Sequence, residues 1–191
     1  MATFQPGTLW KTIQQASSAA LHSGALQPIP TQFETVPDAG IHFLVRVVDN
    51  LARKERQRPA TSAAGVSGSN PFLPYDQDMF VADASDSHVC LLNKFNVLDH
   101  HLLIVTRQFE DQQQRLGLQD FTALWRCMAE YPALAFYNAG SAAGASQPHK
   151  HLQMVPLTPT GPTIPIEPLI AALPTSQQVS DTPALPFRHA L

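Results

Sequence analysis

His149, His151 and Gln153 stand at alternate positions near the end of the run NAGSAAGASQPHKHLQ, Asn138 to Gln153. In an extended backbone, alternate side chains share one face and lie roughly 6–7 Å apart. A strand over Lys150–Val155 would therefore line up His149, His151 and Gln153 on one surface and turn Lys150, Leu152 and Met154 to the other. The residues just before them, Ala139 to Ser146, have almost no side-chain bulk, and backbone N–H groups in such a loop can approach phosphate oxygens closely. Imidazole is a good nucleophile at neutral pH, and a covalent intermediate on it splits one difficult displacement into two easier ones. A glutamine amide can donate to a phosphate oxygen while offering neither a general acid nor a general base. An intermediate held beside glutamine should wait for an acceptor other than water. Loop and strand face together read as a phosphate cradle beside a nucleophile, the layout that nucleotidyl transfer requires.

The same residues leave other readings open. An HxH pair on a strand also fits a packed structural pair or part of a metal site. Zinc needs three or four ligands; His88, His100 and His101 lie on other predicted strands, and no Cys or acidic residue falls at a recognisable ligand spacing. No metal ligands are assigned. Composition narrows the partners. The chain has 191 residues with 44% apolar residues, enough for a core. Its charged share of 14% is low, and 17 prolines put much of the chain in loops. The net charge of −3 comes without a basic stripe, which argues against a nucleic-acid partner. A small anionic ligand needs only one local cluster of donors. Two cysteines without a CxxC pair point to a reduced compartment. The first residues lack the basic and apolar regions of a secretory signal, and no apolar run approaches the roughly 20 residues that span a bilayer. The cytoplasm is the expected location, with no membrane partner; the oligomeric state is not legible.

Several elements must position the motif. TLWKTIQQASSAALHSG predicts a first helix with Thr8 as N-cap, a face of Leu9, Ile13 and Ala16, and Gly24 as its stop. IPTQFETVPDAG reads as extended, and Ile41–Val48 as a strand. The densest positive cluster follows, with Arg53, Lys54, Arg56 and Arg58, and then a Ser/Gly/Ala-rich loop. Further strands are predicted at DMFVAD, HVCLLNKF and HLLIVTR. DFTALWRCMAEY predicts an amphipathic helix with Asp120 as N-cap and Phe121, Leu124, Trp125 and Met128 on its buried face. ALAFYN and HKHLQMV complete the strands. The expected fold is α+β, an antiparallel sheet with helices packed on it, over residues 1–156. Residues 157–191 read as a proline-rich segment.

With these residues in view, the chain resembles the histidine-triad superfamily. There an Asn-x-Gly, a glycine-rich loop and His-x-His-x-His or His-x-His-x-Gln follow one another, as Asn138–Gly140, Gly144–Ser146 and His149–His151–Gln153 do here. FYNAGSAAGASQPHKHLQMVPL is most similar to the ATP adenylyltransferases, also called diadenosine tetraphosphate phosphorylases. NLARKERQ, NPFLPYDQDMFVAD and SHVCLLNKFNVLDHHLLIVTRQFE resemble the same family. The resemblance implies a histidine-triad-like sheet and makes His151 the nucleophile, with His149 as its supporting neighbour and Gln153 in the third position of the transferase branches. It implies that Gly144, Ala145 and Ser146 hold the phosphates, that Asn138 orders their loop, that Asn93 contacts the ribose and that Lys54 meets the polyphosphate. The implied reaction is phosphorolysis of diadenosine tetraphosphate to ATP and ADP, with inorganic phosphate as acceptor. A divalent cation, Mg²⁺ by expectation, accompanies the polyphosphate. Two alternatives remain: a histidine-triad dinucleoside polyphosphate hydrolase, and a non-catalytic nucleotide-binding domain. Family members continue through a C-terminal region, so the chain reads as the N-terminal part of that architecture.

Overall fold

The computed structural model describes residues 3–48, 70–157, 164–171 and 185. The chain divides into two compact units: Met1–Pro30 with Asn50–Leu157, and Thr31–Asp49 with Thr158–Leu191. The first carries the motif.

It begins with helix α1, Leu9–Ser23, which buries Leu9, Ile13, Ser17 and Ala20 at helical spacing. Thr8 occupies the N-cap position but makes no side-chain capping bond. The carboxylate of Glu130 takes that role instead, accepting the Gly7 N–H at 3.0 Å and the Leu9 N–H at 3.1 Å. Gly24 ends the helix in the left-handed region, φ +79°, a conformation glycine adopts without steric penalty.

Strands β3 (Phe80–Asp83), β4 (His88–Leu92), β5 (Leu102–Thr106), β6 (Ala133–Phe136) and β7 (His151–Pro156) follow the hairpin strands β1 and β2 described below. They form one sheet in the order β3-β4-β5-β7-β6, each neighbouring pair antiparallel. The chain thus places β6 at an edge and inserts β7, the motif strand, between β6 and β5. The predicted strand DMFVAD is shorter than expected. Asp76 accepts the Asp78 N–H and starts a single 3-10 turn over Gln77–Met79, so pairing begins only at Phe80.

Alternation along the strands builds two apolar layers. Cys90, Leu92, Leu102, Ile104, Leu152 and Met154 form one with α1 and with Ala123 and Cys127 of helix α2, Leu118–Met128. Val89, Leu91, Leu103 and Val105 form the other, under Phe72. Each buried aliphatic side chain contributes roughly 1.5–3 kcal/mol, so β4 and β5, buried along their whole length, anchor the sheet.

Helix α2 departs from its sequence reading. Its N-cap is Gly117, and Asp120 sits one turn inside, accepting the Gly117 N–H at 2.7 Å. The buried face is Asp120, Ala123 and Cys127. Phe121 is 53% exposed and Trp125 74%; Met128 is also exposed, and of the expected face only Leu124 touches the core. The cause is polar. Asp120 is held by Lys150 at 2.7 Å and by His88 at 3.0 Å, and those bonds set which side of the helix faces the sheet.

The second unit holds β1 (Thr31–Asp38) and β2 (Ile41–Val48), an antiparallel hairpin in which Asp38 pairs with Ile41. Ala39 and Gly40 at its turn both have positive φ, as a two-residue type I′ connection requires. Among the described residues of the proline-rich segment, Glu167–Ala171 form a short helix, α3.

Candidate active site

The motif strand starts at His151, one residue later than the expected Lys150, and before it the His149 backbone pairs with Asp111 in an isolated bridge. Around it, the Gln112 N–H donates to the Pro148 carbonyl and the Lys150 N–H to the Glu110 carbonyl, both at 2.8 Å. The expected division of faces is present all the same. Leu152 and Met154 enter the helix-side core, whereas the rings of His149 and His151 both meet Phe72 on the opposite side.

His151 is 4% exposed. Its Nδ1 lies 2.8 Å from the carbonyl oxygen of His149. A carbonyl oxygen can only accept, so Nδ1 carries the proton and Nε2 presents its lone pair. Burial pushes the His151 pKa down, and the nearby His149 ring adds to that shift against the opposing pull of the carbonyl. A neutral imidazole with one defined nucleophilic nitrogen is the result.

His149 supports this arrangement through its backbone. Its own ring is fully buried, with Nε2 donating to the Thr106 carbonyl at 2.8 Å and Nδ1 accepting from Asn70 at 2.8 Å. Phe72 and Phe109 flank the ring edge-on, each at 5.5 Å between centroids. Burial lowers its pKa as well. These contacts hold the ring, and the ring holds the carbonyl that fixes the His151 tautomer.

Gln112 completes the frame. It is 1% exposed. Its Oε1 accepts the His151 N–H at 2.7 Å, while Nε2 donates to the His151 carbonyl at 3.1 Å and to the Asn138 carbonyl at 2.8 Å. One side chain therefore ties the histidine strand to the start of the small-residue loop.

That loop passes through Gly140, one 3-10 turn at Ser141–Ala143, and Gly144. Gly140 has φ +84° and ψ 178°, a combination open essentially to glycine alone. The Gly144 N–H donates to Ser141 at 3.0 Å and the Ala145 N–H to Gly140 at 3.1 Å. Those two amides are engaged inside the loop, so of the three residues expected to hold phosphate, Ser146 keeps its donors available: it is exposed and makes no hydrogen bond among the described residues. Asn138 orders the loop through its carbonyl, which accepts from Gly140 at 3.0 Å, and its side chain lies across Gly144.

Asn93 directly follows β4, its Nδ2 donating to His101 Nδ1 at 3.3 Å. Gln153 is half-buried on β7, between Leu103 of β5 and Phe136 of β6. His100 instead meets Ser17 of α1 at 3.1 Å. Lys54 lies outside the described residues. Behind the strand, Lys150 is buried and bonds Asp120 at 2.7 Å and Glu110 at 3.1 Å. A cavity of about 310 Å³ opens on that side, lined in part by Arg115, Gln119 and Lys150. It lies away from the His151 face.

Sequence reasoning did not find Gln112, Asn70, Thr106 or the bridging role of Asp120. Only the polar type of Gln112 offered any signal, and that does not distinguish it from Gln113 and Gln114 beside it.

Residues 1–172 match the family model described as the Ap4A phosphorylase N-terminal domain. The chain belongs to that family. Among curated proteins, the chain is similar to diadenosine 5′,5′′′-P1,P4-tetraphosphate phosphorylase 2 of Saccharomyces cerevisiae, 29% identical over 133 residues, 62% of this chain and 40% of that protein. It is also similar to Protein APA1 of the same yeast, 25% identical over 165 residues, 78% of this chain and 50% of that one. The chain thus spans about half the length of the curated relatives it matches. Its fold superposes on that of yeast Ap4A phosphorylase Apa2 in complex with Ap4A, with a TM-score of 0.72 and 24% identity over 91% of this chain and 60% of that chain. The complex of Apa2 with AMP gives 0.71 and 24%, covering 90% and 56%. The expected α+β architecture is the one observed.

Proposed function

We propose that this domain transfers AMP and catalyses phosphorolysis of diadenosine tetraphosphate. One observation carries the reading: the His149 carbonyl fixes the proton of His151 on Nδ1 and leaves Nε2 as a buried nucleophile. His151 Nε2 attacks the α-phosphorus; the P–N bond forms, the bond to the bridging oxygen breaks, and ATP leaves. Inorganic phosphate then attacks adenylyl-His151, the P–N bond breaks, and ADP leaves with the imidazole restored. Gln153 contacts the transferring phosphate, and donors at Ser146 and on Lys54 offset charge on the others. Asn138 keeps the loop in place, and Asn93 contacts the ribose. The relatives that bear the phosphorylase name, and the solved complexes of Apa2 with Ap4A and with AMP, support the choice of substrate.

A divalent cation, Mg²⁺, would arrive on the polyphosphate. Among the described residues, no group of three His, Cys, Asp or Glu side chains converges to hold one, so no step is assigned to it. The reading places the protein in the cytoplasm; among the described residues no helix is long and apolar enough to cross a membrane.

The test is chromatographic analysis of products from diadenosine tetraphosphate and Mg²⁺, with phosphate present or absent. ATP and ADP formed only with phosphate are expected. ATP and AMP formed regardless of phosphate would make the protein a hydrolase. Nucleotide binding without any product would make it a binding domain.

A further inference from the structure

His101 is buried on the site's side of the sheet, and the chemistry above gives it no task. It directly precedes β5, whose Leu103 and Val105 point to the Phe72 side, the side of His151 and Gln153. Leu103 pairs with Gln153 on β7, and Gln153 pairs with Phe136 on β6. The His101 and Phe136 rings approach to 6.2 Å. These two rings therefore flank the Gln153 side chain, which rises from the strand between them.

The His101 tautomer follows from its neighbour. Asn93 Nδ2 can only donate, and it lies 3.3 Å from His101 Nδ1, so Nδ1 accepts and Nε2 bears the proton. That Nε2–H is buried and has no hydrogen-bond partner among the described residues. A buried donor left open is uncommon and calls for a reason. By strand register, Gln153 on β7 is the polar side chain next to it on this face of the sheet. Burial also drives the His101 pKa down to about 4, so the ring stays neutral, and Nε2 a donor, across the ordinary pH range.

We propose that His101 is a positioning residue: its Nε2–H is the donor reserved for Gln153 Oε1, and holding that oxygen leaves the amide N–H₂ facing the transferring phosphate. The inference rests on the phosphorolysis reading. A glutamine amide can turn either end to its ligand, and its oxygen would repel a phosphate where its N–H₂ would attract one. A donor-only partner on the far end removes the wrong orientation. Asn93 sets the tautomer that makes His101 such a partner.

The test is a double-mutant cycle on turnover of diadenosine tetraphosphate with phosphate. His101→Phe keeps a ring of similar shape and removes the donor; His101→Gln returns an N–H near the Nε2 position. Phe should lower kcat about tenfold with little change in KM, and Gln should restore most of it. In a Gln153→Ala background, His101→Phe should have no further effect. An equal loss in both backgrounds, or no loss in the first, would overturn the proposal. A second readout does not need turnover. In ¹⁵N-labelled protein, the His101 Nε2–H resonance, assigned by its absence in His101→Phe, should move when Gln153 becomes Ala. An unmoved resonance would sink the inference even in an active enzyme. A moved one in a protein that turns over no dinucleotide would uphold the contact and reject the phosphorolysis reading.

Discussion

Gln112 and His151, 39 residues apart in sequence, pair as two strand residues would: Oε1 of the glutamine accepts the His151 N–H at 2.7 Å, and Nε2 donates to the His151 carbonyl at 3.1 Å. A side-chain amide thus stands in for a strand neighbour at the residue proposed as the nucleophile. The same Nε2 reaches the Asn138 carbonyl, so the histidine strand and the small-residue loop share one anchor.

Gln112→Leu should therefore weaken both fold and rate. It leaves the His151 N–H buried without its partner, which costs about 1–3 kcal/mol. Thermal denaturation should show that loss, and kcat should fall roughly tenfold or more as the nucleophile and loop lose register. An unchanged kcat in a destabilised protein would show that Gln112 serves the fold alone.

The His151 tautomer has a consequence for pH. Its pKa is lowered by burial, so the neutral, nucleophilic form persists to lower pH than in a free histidine, whose pKa is about 6.5. kcat/KM should stay level from neutral pH down past that value and decline only below it. A decline centred above it would contradict the assignment. His151→Ala should reduce kcat by on the order of 10³-fold or more, with AMP binding retained in calorimetry.

Gln153→His should change the products rather than abolish the reaction. A third imidazole can activate water where an amide cannot, so the AMP fraction should rise at the expense of ADP. The ratio of the two, measured at fixed phosphate, decides whether glutamine excludes water as argued.

Asp120→Asn tests the polar brace behind the strand. Burial alone would raise the Asp120 pKa, but the Lys150 ammonium, the Gly117 N–H and His88 outweigh it and hold the carboxyl below its usual range. A folded-state pKa below the unfolded one gives stability that is present above about pH 3.9 and is lost as pH falls through the folded value. The variant should lose about 3 kcal/mol near neutral pH, since Lys150 is left buried with less countercharge. Melting curves of the two proteins should converge toward strong acid. Parallel curves down to that range would mean that Asp120 contributes through shape rather than charge.

Much of this protein was legible from its amino-acid order. The faces of β7 follow from the two-residue period of an extended chain, and so His149, His151 and Gln153 could be placed together while Leu152 and Met154 were sent to the core. The small-residue loop, helix α1 with Gly24 behind it, and the antiparallel sheet are likewise local properties of side-chain size, backbone freedom and hydrophobic spacing. Tertiary structure alone decided the rest. The face of α2 turned on Asp120 finding Lys150 and His88, and the apolar stripe of Phe121 and Trp125 predicted the wrong side. The cap of α1 came from Glu130 rather than Thr8. Two of the three loop amides expected to face phosphate were already bonded within the loop. Above all, the proton position on His151 depends on a carbonyl brought within 2.8 Å and on Gln112, Asn70 and Thr106 holding that carbonyl's strand. A periodic pattern records which way each side chain points along its own segment; hydrogen-bond partners are set by how distant segments meet, and no local period encodes that meeting.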